Sequence, residues 1–404
     1  MKIISILLLY LFATCTIAQT PQESFDAGLL KYKAGDFRHA ESEFSNAILS
    51  DSKFVQAWRY RGLSKMQLNN YSGALNDFDM MVQLDSTQSL GYYNRAHAAF
   101  YLKKYDTALK DVSKSIELKT DFSDAYFLRG QLHNEAKLFK EALKDFNKAI
   151  ELGLQTSEAY AERARAKHNL KDFEGSVVDI DRALAIDDSK SEYFFNRGLS
   201  QAELHYFTEA IRDFSQAIYK NPNESKYYFY RGIIKNETRD TEGSINDYNK
   251  AIELDSANFE IYKRRALSKM RMRNISGALD DLNTCVNLAP NVADNYFSRA
   301  MVFTENKQSD EAIADFNKAI SLDTTVYYYY FNRGLVKYDL EQIPEALDDF
   351  ILAIQFNPKY ARAFEYKGLC EIRMGKKEEA CSDFEKAVSL GNKDANIQIK
   401  KYCF

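Results

Sequence analysis

Proton transfer, nucleophilic attack and metal binding would rest on the histidine, cysteine and carboxylate side chains of this 404-residue chain, and their spacing supports none of the three. His39, His97, His133, His168 and His205 stand one at a time, without the paired spacing of a metal-binding helix. No phosphate-cradling glycine loop, nucleophile elbow or dinucleotide fingerprint occurs. The expectation is a chain that is not an enzyme and takes no cofactor or metal. The formal net charge of -4 argues against nucleic acid as the main partner, because neutralising phosphates needs a basic surface.

The carboxylates are instead periodic. Glu43, Asp77, Asp111, Asp145 and so on to Asp383 fall every 34 residues, and every one of the eleven is acidic. A basic column has the same period: Arg61, Arg95, Arg129 and on to Arg333, then Lys367, with Ala27 alone uncharged. Other columns share the register. The residue after the Arg is always Gly or Ala, from Gly28 to Gly368. Twelve residues on it is Ala or Ser, from Ala40 to Ala380, and four beyond that it is large and apolar, from Phe44 to Phe384. Period, small residues and large residues together predict two helices of about a dozen residues per unit, antiparallel and closely packed. Pro222, Pro290 and Pro358 share the column that closes a unit, and Pro344 opens a second helix, where proline is tolerated.

A 34-residue period with Gly/Ala, Ala, Phe and Ala columns resembles the tetratricopeptide repeat, over residues 21 to about 392. The resemblance implies an all-α, right-handed superhelical α-solenoid of eleven helix-turn-helix repeats. Units start near 21, 55, 89, 123, 157, 191, 225, 259, 293, 327 and 361. A capping helix over 393–404 would cover the open end of the core. The chain departs from the family where many such repeats carry Leu before the Gly, since it carries Arg. The resemblance also implies protein or peptide partners on a groove lined by the first helix of each unit. Phe25, Tyr93, Phe127, Phe195, Phe229, Phe297 and Phe331 share one such position. These rings either face ligand or pack along the ribbon. Lys263 and Arg264 open the densest basic cluster, with Arg265, Lys269, Arg271 and Arg273; it is a solvated face or a site for an acidic ligand. The family's clamp for a C-terminal carboxylate combines Lys, Asn and Arg in neighbouring repeats. Asn94, Asn196 and Asn332 fall in the groove, but the set never assembles.

The two charge columns are expected to form a ladder, each acid bonding the cation of the following repeat eighteen residues on. Glu43 would meet Arg61, Asp77 Arg95, Asp111 Arg129, Asp213 Arg231 and Asp315 Arg333. The ends favour that direction, because the first repeat has no Arg and Lys401 stands eighteen residues beyond Asp383.

Lys2 followed by the apolar run Ile3 to Phe12 and the small residues before Gln19 predicts a signal peptide over 1–18. The expected location is therefore the periplasm or cell envelope; a lipid anchor at Cys15 is the alternative. No later segment is apolar for 18 residues, so no membrane span is expected after it. Exported chains keep disulfides. Cys381–Cys403 is the expected bridge, Cys370–Cys403 competes with it, and Cys285 should be an inert thiol at a packed position. These features favour a cell-envelope scaffold for partner proteins. The alternative is a carrier or adaptor for polysaccharide or cell wall, marked by polar pockets between groove aromatics. Partner identity and oligomeric state are not legible.

Overall fold

A computed structural model describes residues 19–404, and residues 1–18, with the expected signal peptide and Cys15, lie outside the described residues. Every regular element among the described residues is a helix. The described chain divides into two compact units, the boundary falling between Asp188 and Ser189.

The first unit holds five helix hairpins, whose first helices begin at Pro21, Val55, Ser89, Ser123 and Ser157. The hairpin of helices Val55–Gln67 and Tyr71–Leu84 shows how the sequence builds each one. Asn69 takes a left-handed backbone (φ 59°), and Asn70 N–H donates to the Lys65 carbonyl at 2.8 Å, which stops the first helix. The Asn70 side chain then accepts from Gly73 N–H and starts the second. Asp36 and Asp172 cap second helices in the same way. The left-handed residue is Gly35 in the first hairpin, but Lys103, Lys137 and Lys171 in later ones, where a β-carbon makes that backbone unfavourable.

The close approach of the two helices has a single cause. A β-carbon at Gly62 would lie 2.5 Å from the Phe78 ring, and one at Gly130 would lie 2.6 Å from Phe146. Three of the four rows that carry Ala have a smaller partner instead, Val112 for Ala96, Ile180 for Ala164 and Leu282 for Ala266, whereas Ala300 keeps Phe316. Phe44, Phe78 and Phe146 are fully buried, each stabilising the core by roughly 1.5–3 kcal/mol. Within this unit, from the second hairpin on, the first helix packs both on its own partner and on the second helix of the preceding hairpin.

The second unit repeats this plan in six hairpins, with first helices starting at Ser191, Ser225, Phe259, Ala293, Tyr327 and Ala361. Gly198, Gly232, Gly334 and Gly368 sit against Phe214, Tyr248, Phe350 and Phe384. A last helix, Ala395–Tyr402, packs on the helix Lys377–Ser389. Cys381 and Cys403 are bonded across that contact, with Cα atoms 5.8 Å apart.

Candidate functional site

The charge columns meet, but not in the expected direction. Each Arg grips the Asp sixteen residues ahead, in its own hairpin. Asp77 pairs with Arg61 rather than Arg95, Asp111 with Arg95 rather than Arg129, and Asp145 takes Arg129. Likewise Asp213 pairs with Arg197 rather than Arg231, which holds Asp247. Asp315 pairs with Arg299 rather than Arg333, which holds Asp349. All nine arginines bind through Nε and one terminal nitrogen at 2.5–3.0 Å. The reason is the Gly–Phe contact. Arg61 precedes Gly62 and Asp77 precedes Phe78, so the approach that seats the ring also brings the charges together. Glu43, in the hairpin with Ala27, consequently keeps a buried Oε2 without a partner.

The link between neighbouring hairpins uses the remaining guanidinium nitrogen. In seven repeats it donates to a side chain sixteen residues back: Ser45, Asp79, Asn147, Ser215, Asn249, Asn283 or Asn317, at 2.5–3.2 Å. This Ser/Asn/Asp column, two residues after the acid, is the sequence signal that had been missed. A lysine joins five of the acids, Lys65, Lys167, Lys235, Lys269 or Lys337, and the His133 ring lies 2.9 Å from Asp145. Burial alone would raise the Asp145 pKa, but the His133 and Arg129 hydrogen bonds outweigh it and hold that carboxyl below its ordinary value.

The aromatic column is divided between core and surface. Phe25, Phe195 and Phe331 are buried, Phe331 to 1% exposure. Tyr93, Phe127, Phe229 and Phe297 are half-buried. Phe25, Phe127, Phe195, Phe229, Phe297 and Phe331 each lie 5.6–6.2 Å, centroid to centroid, from the large ring of their hairpin's second helix. Reading the column as ligand-facing is corrected for the buried Phe25, Phe195 and Phe331, whereas the half-buried Phe127 and Phe297 pack on the ring of their hairpin and also border open clefts.

The accessible face of the first helices lies one turn further on. In the second unit that column is entirely aliphatic: Leu199, Ile233, Leu267, Met301, Leu335 and Leu369. Leu267 is 50% exposed and Met301 40%. Between them, Lys263, Phe297, Met270 and Glu305 help to line an open cleft of about 320 Å³. In the first unit the same column reads Leu29, Leu63, His97, Gln131 and Arg165. His97 there adjoins two polar pockets, one shared with Gln67, Asn69, Tyr71 and Tyr101, the other with Asp124 and Glu158.

Profiles described as tetratricopeptide repeat match residues 25–89 and 93–157 in one form, and residues 293–325 and 361–393 in another. The chain is a tetratricopeptide-repeat protein. It is similar to solved structures of YrrB, described as a repeat protein of this type with an unusual peptide-binding site (20% identity, 44% of this chain and 92% of that one, TM-score 0.41). It is also similar to yeast Tom70 (15% identity, 95% and 94%, TM-score 0.45). A third is a tetratricopeptide repeat protein from Parabacteroides merdae (17% identity, 61% and 98%, TM-score 0.46). No curated protein matches the chain.

The basic cluster and the free cysteines of this tetratricopeptide-repeat protein are engaged within the fold. The basic cluster is partly paired, four of its six cations sharing the two carboxylates of Glu260 and Asp281. Lys263 and Arg264 both pair with Glu260, and Arg265 and Lys269 with Asp281. Arg271 donates to the Asn236 carbonyl. Cys285 and Cys370 are free, and burial pushes both thiols up to about 12. No group of three or more His, Cys, Asp or Glu among the described residues is placed to hold a metal. No helix among them is long and apolar enough to cross a membrane.

Proposed function

We propose that this tetratricopeptide-repeat protein is a non-catalytic scaffold of the cell envelope that binds partner proteins or peptides along its first-helix face. The observation that carries the reading is the aliphatic column of the second unit, open to solvent at Leu267 and Met301 over the 320 Å³ cleft. A cleft with an apolar floor, rimmed by Lys263 and Glu305, suits the leucine, methionine or phenylalanine of an extended peptide. Burying such a side chain stabilises a complex by roughly 1.5–3 kcal/mol. Selection from a random peptide library should return peptides with a large apolar anchor. Leu267→Ser combined with Met301→Ser should weaken them at least tenfold while the melting temperature holds. Retained affinity in that variant removes the reading. Phe195→Ala with Phe229→Ala is the wrong probe, because Phe195 is part of the packed core.

Export is part of the proposal and rests on the sequence of residues 1–18. Expression with that segment intact, followed by N-terminal sequencing, should give Gln19 as the first residue; a lipidated Cys15 would move the protein to the anchored alternative.

A second reading, a carrier or adaptor for polysaccharide or cell-wall material, has one observation in its favour. The pocket of about 260 Å³ among Gln67, Asn69, Tyr71, His97 and Tyr101 combines neutral hydrogen-bonding groups with exposed ring surface. Titration with soluble glycan fragments, read by the tyrosine signals of Tyr71 and Tyr101, tests it; unmoved signals dismiss it.

A further inference from the structure

We infer that the first unit carries a binding pocket for an organic cation, an alkylammonium or guanidinium head on an apolar stem, built by Tyr93, His97, Asp124, Phe127, Gln131 and Glu158. The pocket lies across three consecutive first helices, Ser89–Tyr101, Ser123–Glu135 and Ser157–Asn169. Its volume is about 270 Å³, far above the roughly 10–15 Å³ that a single water requires.

Three observations select the ligand class. The pocket brings two carboxylates to one opening, and nothing in the described chain neutralises them. Asp124 has no hydrogen bond or ion pair among the described residues, and Glu158 accepts only the Ser157 hydroxyl, at 3.1 Å. The nearby bases are otherwise engaged. Arg129 is held by Asp145, Arg165 by Glu135 and Glu162, and Lys119 lies over the Phe122 ring.

The wall is aromatic. Tyr93 packs on Phe122 at 4.8 Å and against His97 at 5.8 Å, and Phe127 closes the other side. Ring faces beside carboxylates attract a cation through the quadrupole as well as the full charge. Gln131 adds an amide able to orient the head group. His97 does not supply the missing positive charge, because burial lowers its pKa and keeps the ring neutral near pH 7. An anionic ligand would face two like charges, and an apolar one would use the rings but neither acid.

The site is independent of the aliphatic column in the second unit, so either can fail alone. The test is a ligand-observed NMR titration at low ionic strength. The probes are Nα-acetyl-lysine methylamide, Nα-acetyl-arginine methylamide, spermidine and the uncharged Nα-acetyl-norleucine methylamide. The cations should bind at least tenfold tighter than the norleucine analogue. The two amino-acid amides distinguish a polypeptide side chain from spermidine as the preferred source. Asp124→Asn with Glu158→Gln should abolish the preference for charge while circular dichroism and melting are retained. Glu158→Lys, which places an ammonium in the pocket, should abolish cation binding, and Glu203→Gln, outside it, should change nothing. Equal binding of the uncharged analogue, absence of cation binding, or an unchanged preference in the folded double variant would each overturn the proposal.

Discussion

Replacing Gly130 with alanine should loosen the fourth hairpin, and replacing Phe146 with valine in the same chain should restore most of the loss. The structure sets the scale. A β-carbon at Gly130 would lie 2.6, 2.8 and 2.9 Å from three atoms of the Phe146 ring. Carbon atoms pack best at about 3.5–4.0 Å, so the ring must retreat by roughly 1 Å. It has nowhere to go, since Phe146 is fully buried among Ala142, Ala166, Phe127 and Leu143. Such overpacking costs about 1–3 kcal/mol, and alanine returns up to about 1 kcal/mol through its better helix propensity. The net expectation is a loss of about 1–2 kcal/mol. Phe146→Val alone leaves a void and should lose about 2–3 kcal/mol. Together the two changes recreate the Ala96–Val112 pairing already present one hairpin earlier, so the coupling should favour the double variant by about 1–2 kcal/mol. Urea unfolding followed by circular dichroism gives the global effect. Hydrogen exchange in residues 123–151 gives the local one, which matters because repeat arrays need not unfold as one unit. A neutral or stabilising Gly130→Ala, or strictly additive changes, would refute the packing argument.

Three further outcomes follow from the same geometry. Asp145→Asn leaves Arg129 and His133 facing each other without their shared carboxylate and should destabilise by about 3 kcal/mol in urea unfolding. Because the Asp145 pKa is depressed in the folded state, its contribution is present above the unfolded value of about 3.9. It is lost as pH falls through the lower folded value, so the stability difference between wild type and Asp145→Asn should shrink below about pH 4. Lys171→Gly relieves a left-handed backbone at φ 65° and should raise the urea midpoint by an amount worth about 1 kcal/mol. Cys285 and Cys370, buried with thiols pushed up to about 12, should resist iodoacetamide at pH 7.5 in the native protein, whereas reduction of the bridge should expose Cys381 and Cys403 to labelling.

The hairpin plan was legible because it rests on columns that local physics can read. Gly62 against Phe78, and Ala96 against Val112, are volume pairs sixteen residues apart in fixed register, and their complementarity shows without coordinates. The left-handed turn was legible only where glycine marks it, at Gly35 and Gly375. At Lys103, Lys171 or His205 the surrounding hairpin imposes a conformation the residue itself disfavours.

The pairing of the charge columns and the fate of the aromatic column belonged to tertiary structure. An Arg flanked by an acid eighteen residues behind and another sixteen ahead offers two partners of the same chemistry, and sequence distance does not choose between them. The choice is made by which backbones come within reach, and that follows from the ring seated on Gly62, Gly130 and their equivalents. Phe195 and Leu267 both stand on first helices with apolar side chains, yet one is sealed in its hairpin and the other open over a cleft. A helix has one face against its partner and another against solvent, and only the rotation of that helix in the assembled hairpin decides which residues each face receives.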